Sequence, residues 1–448
     1  MDSKSSYWVV SGIYSIGSRL FTLLFGFGGF YILVRTLPQS KFGTWALFLT
    51  ITTIIEMSRN GLIQNALIKL LHSNPNEASD KVVTASWILN LAYSILIMIL
   101  LVLMASLMAK LFDAPEFTTM FLVYSLTLFV LVPFSQFNYI QQAKFSFSGI
   151  FWSAFVRQGS FFLVILLYNL KNEELTLVSL VAYQLLCTVA GLVVAFICAR
   201  KFLTFKWVFN GDIVKQVFHF GKYVMGTNML SLVYKSTDQI MIGYFLNTTS
   251  VALYNSSIRI SNLIEYPATS VAEVVYPKTT QMYEKEKDLS SKFFYEKGVG
   301  LTMTVTLPIV LFSIIFADLI IAIVAGPLYA ESAHILRITI LFGLFTPFSR
   351  QFGTAMDSSG RPHINFAILC LSVVVNLVSN LIGIIYFGLM GAAYGTLFSY
   401  GIMGVISYFL MVRIFKVSFW ATFINMAQFY YLGFNKFVSI IKIRILKR

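Results

Sequence analysis

Apolar runs of about 20 residues recur from one end of this chain to the other. A helix rising 1.5 Å per residue needs that length to cross roughly 30 Å of hydrocarbon. Backbone in lipid must satisfy its own hydrogen bonds, and runs this long do so as helices. The pattern predicts an all-α polytopic membrane protein. Composition agrees: of 448 residues, 57% are hydrophobic and 12% charged, a balance no soluble core of this size requires.

Reading the runs between charged or turn-forming breaks predicts about twelve spans, over 10–34, 44–66, 82–107, 118–140, 148–170, 175–199, 221–246, 251–276, 299–325, 333–356, 364–388 and 391–415. They divide into a six-helix lobe (1–199), a basic linker (200–220), a second six-helix lobe (221–416) and a tail (417–448). The linker, with Trp207, Phe209, Val214 and Phe218 among charges, is expected to lie on the inner surface. The aromatic stretch 419–434, interrupted by Asn425, Gln428 and Gly433, is expected to lie flat in the interface ahead of a basic tail with Lys436, Lys442, Arg444, Lys447 and Arg448. Such a tail suits anionic head groups. With the N-terminus inside, the inner segments carry seventeen lysines and arginines, against Arg35, Lys41, Lys110 and Lys171 outside. That bias predicts both termini in the cytoplasm. Met1 to Trp8 lacks a basic start and a small-residue cleavage site, so the first span is expected to stay.

The two halves repeat. Laid over each other without a gap, Leu37 falls on Leu246, Phe42 on Val251, Gly43 on Ala252 and Trp45 on Tyr254; Ile55-Glu56 falls on Ile264-Glu265. Acidic residues in mid-membrane are rare, and two at equivalent positions mark a parallel repeat of the kind transporters are built from.

Charges inside the spans carry the functional reading. Arg19, Arg59, Arg157, Lys235 and Arg259 outnumber Glu56, Asp238 and Glu265 there, so a net positive interior remains if every acid takes a base. An anionic substrate would supply the missing countercharge, and guanidinium forks suit phosphate oxygens. The competing reading is structural: Glu56 with Arg59, and Lys235 with Asp238, as ion pairs along one helix. Glu56, Asp238 and Glu265 are candidate carriers of a coupling proton or sodium ion. Asn228, Ser231, Asn255 and Asn262 share helix faces with these charges and are expected to line the same interior. Arg337 and Arg350 lie near span ends, where a long side chain reaches the interface.

Enzymatic chemistry has little to work with. His72, His219, His334 and His363 fall in loops or at span ends, no phosphate-cradling glycine loop occurs, and the three cysteines lack metal-ligand spacing. No cofactor or metal is expected. The Asn247-Thr248-Thr249 sequon is read as an ordinary turn.

At particular stretches the chain resembles the multidrug, oligosaccharidyl-lipid and polysaccharide exporter superfamily, especially its Wzx-type O-antigen flippases. These are Arg35-Thr-Leu-Pro-Gln-Ser-Lys-Phe-Gly43, Gly61-Leu62, Thr237-Asp238-Gln-Ile-Met-Ile-Gly243 with Tyr254, Gly360-Arg361-Pro362, Asn376, and Phe387-Gly388-Leu389-Met390-Gly391-Ala392-Ala393. The resemblance implies two lobes, alternating access and outward transfer of an undecaprenyl-pyrophosphate-linked oligosaccharide. It also implies cavity arginines on the helices that carry Arg19, Arg59 and Arg259. The partners it implies are that lipid-linked substrate, membrane lipids and other polysaccharide-assembly proteins, with the chain a monomer and nucleic acid excluded. Two other readings are open: a cation-coupled multidrug exporter, which would prefer an acidic or apolar lumen, and a membrane scaffold for glycan assembly, which would tolerate loss of every lumen charge.

Overall fold

The computed structural model describes residues 3–73, 79–203, 206–286 and 288–446; the side chains of Arg19 and of 433–446 lie outside the described set, so the expectations for Arg19 and the basic tail are not addressed by it. The described residues form helices and short connections. The α-helices are α1 (Ser3–Thr36), α2 (Gln39–Ser73), α3 (Ser79–Leu111), α4 (Glu116–Ala143), α5 (Phe147–Lys171), α6 (Leu177–Ala199), α7 (Gly211–Phe245), α8 (Thr248–Ser261), α9 (Glu265–Glu286), α10 (Asp288–Ile315), α11 (Ala317–Val324), α12 (Ser332–Thr339), α13 (Thr346–Ser358), α14 (Pro362–Phe415) and α15 (Phe419–Leu446). Single 3₁₀ turns join α8 to α9 and α12 to α13.

Among the described residues seven helices are long and apolar enough to cross a membrane. The helices outside that set include α2, α7, α8 and α9, which carry Glu56, Arg59, Lys235, Asp238, Arg259 and Glu265. Most of the intramembrane charges thus sit on helices outside the apolar set, Arg157 on α5 being the exception.

The chain divides into two compact units: Met1–Val233 with Asn247–Ala252, and Tyr234–Leu246 with Leu253–Arg448. The division falls inside α7, whose helix runs unbroken through it, and the amphipathic linker residues from Gly211 onward are its first turns. In the first unit α2 packs on α3 and α4, α3 on α4, α4 on α6, and α5 on both α1 and α6. In the second, α9 packs on α10 and α13, and α10 on α13. The α2–α3–α4 neighbourhood therefore recurs as α9–α10–α13, in agreement with the internal repeat.

Local chemistry places the turns. Asn247 Oδ1 accepts the Ser250 amide at 2.8 Å and opens α8, so the sequon residues build a turn. Thr176 caps α6 by accepting from the Ser179 amide at 3.1 Å. At 54 residues α14 would measure about 80 Å if straight. It folds back instead at Gly388, where φ is 57° and ψ −135°, a region only glycine enters without strain. Across this hairpin a Cβ on Gly391 would lie 1.8 Å from the Gly383 carbonyl oxygen, and Thr396 donates to Asn380 Oδ1 at 3.3 Å.

The expectation that 419–434 lies flat is corrected. The Ser418 amide donates to Glu296 Oε1 at 2.8 Å, and Thr304 Oγ1 lies 3.5 Å from the Met426 carbonyl. Between these, Gly300 receives Thr422, Asn425 and Met426 so closely that a Cβ would sit 2.8 Å from that of Asn425. The offset is the same at both hydrogen bonds, so α15 runs alongside the spanning α10 in the same direction. Asn425 breaks the apolar run because it faces α10, where its amide donates to the Ala421 carbonyl at 2.8 Å.

Candidate functional site

In the first unit three helices converge on Glu56. Arg157 Nη2 of α5 lies 3.3 Å from Glu56 Oε1, and the buried Tyr124 hydroxyl of α4 donates to the same oxygen at 3.3 Å. The Arg157 guanidinium also rests 5.3 Å from the centre of the Phe134 ring, a cation–π contact. Room for Arg157 comes from α6: a Cβ on Gly191 would meet that of Arg157 at 2.8 Å. Both charged side chains keep about a fifth of their surface open, 20% for Arg157 and 24% for Glu56, so this is a half-solvated pair.

Arg59, one turn along α2 from Glu56, points elsewhere. It is 2% exposed, and its Nε and Nη1 have no hydrogen-bond partner among the described residues. Its electrostatic neighbours include the hydroxyls of Tyr93 on α3 and Tyr139 on α4. Around it lies a buried polar network that charge alone does not reveal. Tyr139 donates to Asn60 Oδ1 at 2.5 Å, Asn90 Nδ2 to Ser135 Oγ at 3.2 Å, and Gln136 Nε2 to Ser86 Oγ. Ser58 bonds the Tyr93 hydroxyl at 2.5 Å. Asn90 Oδ1 and Ser94 Oγ have no partner among the described residues. The signal in the sequence is Ser86, Asn90 and Ser94, spaced four apart on one face of an otherwise apolar helix.

The second unit holds the repeat-equivalent acid. Glu265, at the start of α9, pairs with Lys235 Nζ of α7. Lys235 is 46% exposed and Glu265 24%. Asp238, one turn further along α7, is buried at 3% and accepts from neutral donors: the Tyr254 hydroxyl at 2.5 Å and the Gln239 amide at 2.8 Å. Asn255 Nδ2 donates to Gln239 Oε1 at 2.8 Å, extending this group along α8. Arg259 is half-buried on the same helix, and Asn262 is exposed in the turn that follows. Asn228 and Ser231 belong to the first unit, where Asn228 Nδ2 lies 2.9 Å from a Cβ built on Gly61.

The ion pairs along single helices are therefore corrected. Glu56 pairs with Arg157 rather than Arg59, and Lys235 with Glu265 rather than Asp238, because neighbouring helices offer partners while Arg59 and Asp238 turn into buried polar surroundings. The repeat keeps the acid and changes the base: the partner of Glu56 stands on α5 and that of Glu265 on α7. Asp318 is 70% exposed and pairs with Arg337.

Comparison with known proteins supplies a family. Residues 32–334 match the family described as polysaccharide biosynthesis protein. An uncharacterized membrane protein of Methanocaldococcus jannaschii is 28% identical over 57% of this chain and 51% of its own length. A probable low-salt glycan biosynthesis flippase, Agl15 of Haloferax volcanii, is 23% identical over 43% of this chain and 41% of its own. The chain spans about half the length of these curated relatives. Among solved structures, a lipid II flippase, MurJ, in an inward closed conformation superposes with a TM-score of 0.77 over 96% of this chain and 93% of its own, at 14% identity, which establishes a shared fold.

Proposed function

The chain belongs to the polysaccharide biosynthesis protein family, and from that premise we propose that it is a flippase that moves an undecaprenyl-pyrophosphate-linked oligosaccharide outward across the cytoplasmic membrane. The observation that carries the reading is the pair of half-solvated ion pairs on repeat-equivalent acids, Glu56–Arg157 and Glu265–Lys235. A pyrophosphate brings several oxygen acceptors and more charge than a carboxylate, so it competes for Arg157 and Lys235 where water still reaches them. Arg59 adds a guanidinium whose Nε and Nη1 have no hydrogen-bond partner among the described residues, and Arg19 and Arg259 are the further candidate cations. The prenyl tail stays in lipid while the charged head is carried.

Release of Glu56 and Glu265 from their bases leaves two carboxylates in a membrane interior, which favours uptake of a proton or sodium ion. Asp238, held by neutral donors, is the third candidate for ion coupling. No chemical conversion of the substrate is part of this reading; the residues bind and release. On this reading the N-terminus lies in the cytoplasm, the side that the charge bias favours.

The test is the sidedness of the lipid-linked oligosaccharide, measured by whether an added glycan-modifying enzyme reaches it from the outer face of spheroplasts. Depletion of the protein is expected to trap the glycan inside, and Arg157→Gln or Lys235→Gln to do the same while the protein still inserts. Normal surface glycan in both variants would overturn the assignment of these residues.

A further inference from the structure

Beyond the Glu56–Arg157 pair, the face of α2 that carries Glu56 presents amides. In steps of four residues it offers Asn60 and Gln64, about 6 and 12 Å further on at 1.5 Å per residue. The charge bias assigns this end of α2 to the cytoplasm. Each amide is held by α4: the Tyr139 hydroxyl donates to Asn60 Oδ1 at 2.5 Å, and Gln64 Nε2 donates to Gln142 Oε1 at 2.8 Å. One turn before Gln142, Asn138 Oδ1 accepts from the Ser153 hydroxyl of α5 at 3.0 Å, and Ser153 stands one turn from Arg157. The first half of α7 packs closely beside this row. Gly61 receives Met225 and Asn228, and a Cβ on Gly221 would sit 1.9 Å from the Leu62 carbonyl oxygen. All of these residues belong to the first unit.

The bonds to α4 use one end of each amide and fix the direction of the other. Asn60 Nδ2, Gln64 Oε1 and Gln142 Nε2 have no hydrogen-bond partner among the described residues, and the three side chains are half-buried, open to a ligand. A row that offers N–H, C=O and N–H in held directions matches sugar hydroxyls, which both accept and donate. A phosphate would accept from the two N–H groups only and set its oxygens against Gln64 Oε1. A hydrocarbon tail would leave all three groups without partners. The repeat shows that packing does not require the row. In the register that lays Glu56 on Glu265, Asn60 falls on Thr269 and Gln64 on Glu273, and the Thr269 hydroxyl turns back onto the Glu265 carbonyl at 2.9 Å. The α9–α10–α13 neighbourhood thus forms without amides at these positions.

We propose that Asn60, Gln64 and Gln142 form a subsite for the sugar nearest the pyrophosphate, an inference that rests on the flippase reading. With the pyrophosphate at Arg157, the sugar extends along α2 towards the cytoplasmic end. Its hydroxyls accept from Asn60 Nδ2 and Gln142 Nε2 and donate to Gln64 Oε1. The amides then select the sugar, and Arg157 the phosphate.

The test uses the full-length protein purified in detergent, with equilibrium binding of radiolabelled undecaprenyl pyrophosphate measured against the same lipid carrying one N-acetylglucosamine. Wild type is expected to bind the glycosylated lipid about tenfold more tightly, as two neutral hydrogen bonds contribute. N60L/Q64M, close to wild type in side-chain volume, is expected to keep its affinity for undecaprenyl pyrophosphate and lose that gain. Gln142→Met alone is expected to lose part of it, and Arg157→Gln to weaken both lipids alike. Equal binding of the two lipids by wild type, or an undiminished gain in N60L/Q64M, would overturn the subsite and leave the flippase reading standing. So would loss of undecaprenyl pyrophosphate itself in both amide variants, which would make the amides part of the frame. Binding of neither lipid by wild type would overturn the flippase reading, and the subsite with it.

Discussion

At the scale of single residues, the membrane interior turns every charge into a question about its partner. Glu56 has two, Arg157 and Tyr124, and both depend on it in turn. Removing only the base strands the acid, whereas removing both charges leaves two neutral side chains that can still hydrogen-bond. Arg157→Gln is therefore expected to destabilise the protein by about 2 kcal/mol, less than the ~3–5 kcal/mol of a fully buried pair because water reaches both groups. Glu56→Gln/Arg157→Gln should recover part of that loss, as read by thermal unfolding in detergent; equal Tm in the single and double variants would show that the pair is not coupled. The charged members of these clusters were legible in the sequence because each interrupts an apolar run. Their pairing was not, since it depends on the rotational phase of helices that lie 101 residues apart for Arg157 and Glu56. Tyr124 was invisible for a different reason: 23 tyrosines are scattered through the chain, and only burial against a carboxylate singles it out, while Tyr254 stood out through the repeat and the resemblance but not as a partner of Asp238.

At the scale of elements, close backbone approach decides where helices can lie. In α14 the two limbs touch through Gly383 and Gly391. Gly391→Val has no room without parting the hairpin, and it should remove the monodisperse peak in size-exclusion chromatography, while Gly226→Ala, with nothing within 4 Å of its Cβ, should leave the peak intact. The break between these limbs was legible because Phe387 to Met390 contains the glycine that the turn requires. The placement of α15 was not. Hydropathy counts Asn425 and Gln428 against a span, but a polar residue that faces another helix costs a span little, and hydropathy cannot tell which way a side chain faces. Gly300→Leu should displace α15 from α10, seen as new protease cleavage between α14 and α15 in Gly300→Leu that wild type resists.

At the scale of the whole molecule, the repeat was the most informative line of the sequence: it paired Glu56 with Glu265, and the structure gives each a base from its own unit. The repeated neighbourhoods α2–α3–α4 and α9–α10–α13 follow from the same register. The contact-based division inside α7 does not follow from it, because span-by-span reading assigns a helix to one side or the other and has no place for one that belongs to both. That dual membership makes the order of assembly testable. A chain severed in the 203–206 segment yields two fragments, and the second carries at its front the stretch of α7 that fits against Gly61 and Leu62 of the first. Such a stretch works as a tenon cut on one piece and seated in the mortise of the other. The two fragments, made separately in one cell, should copurify without any covalent tie, and failure to copurify would show that the peptide link itself, not the joint, holds them together.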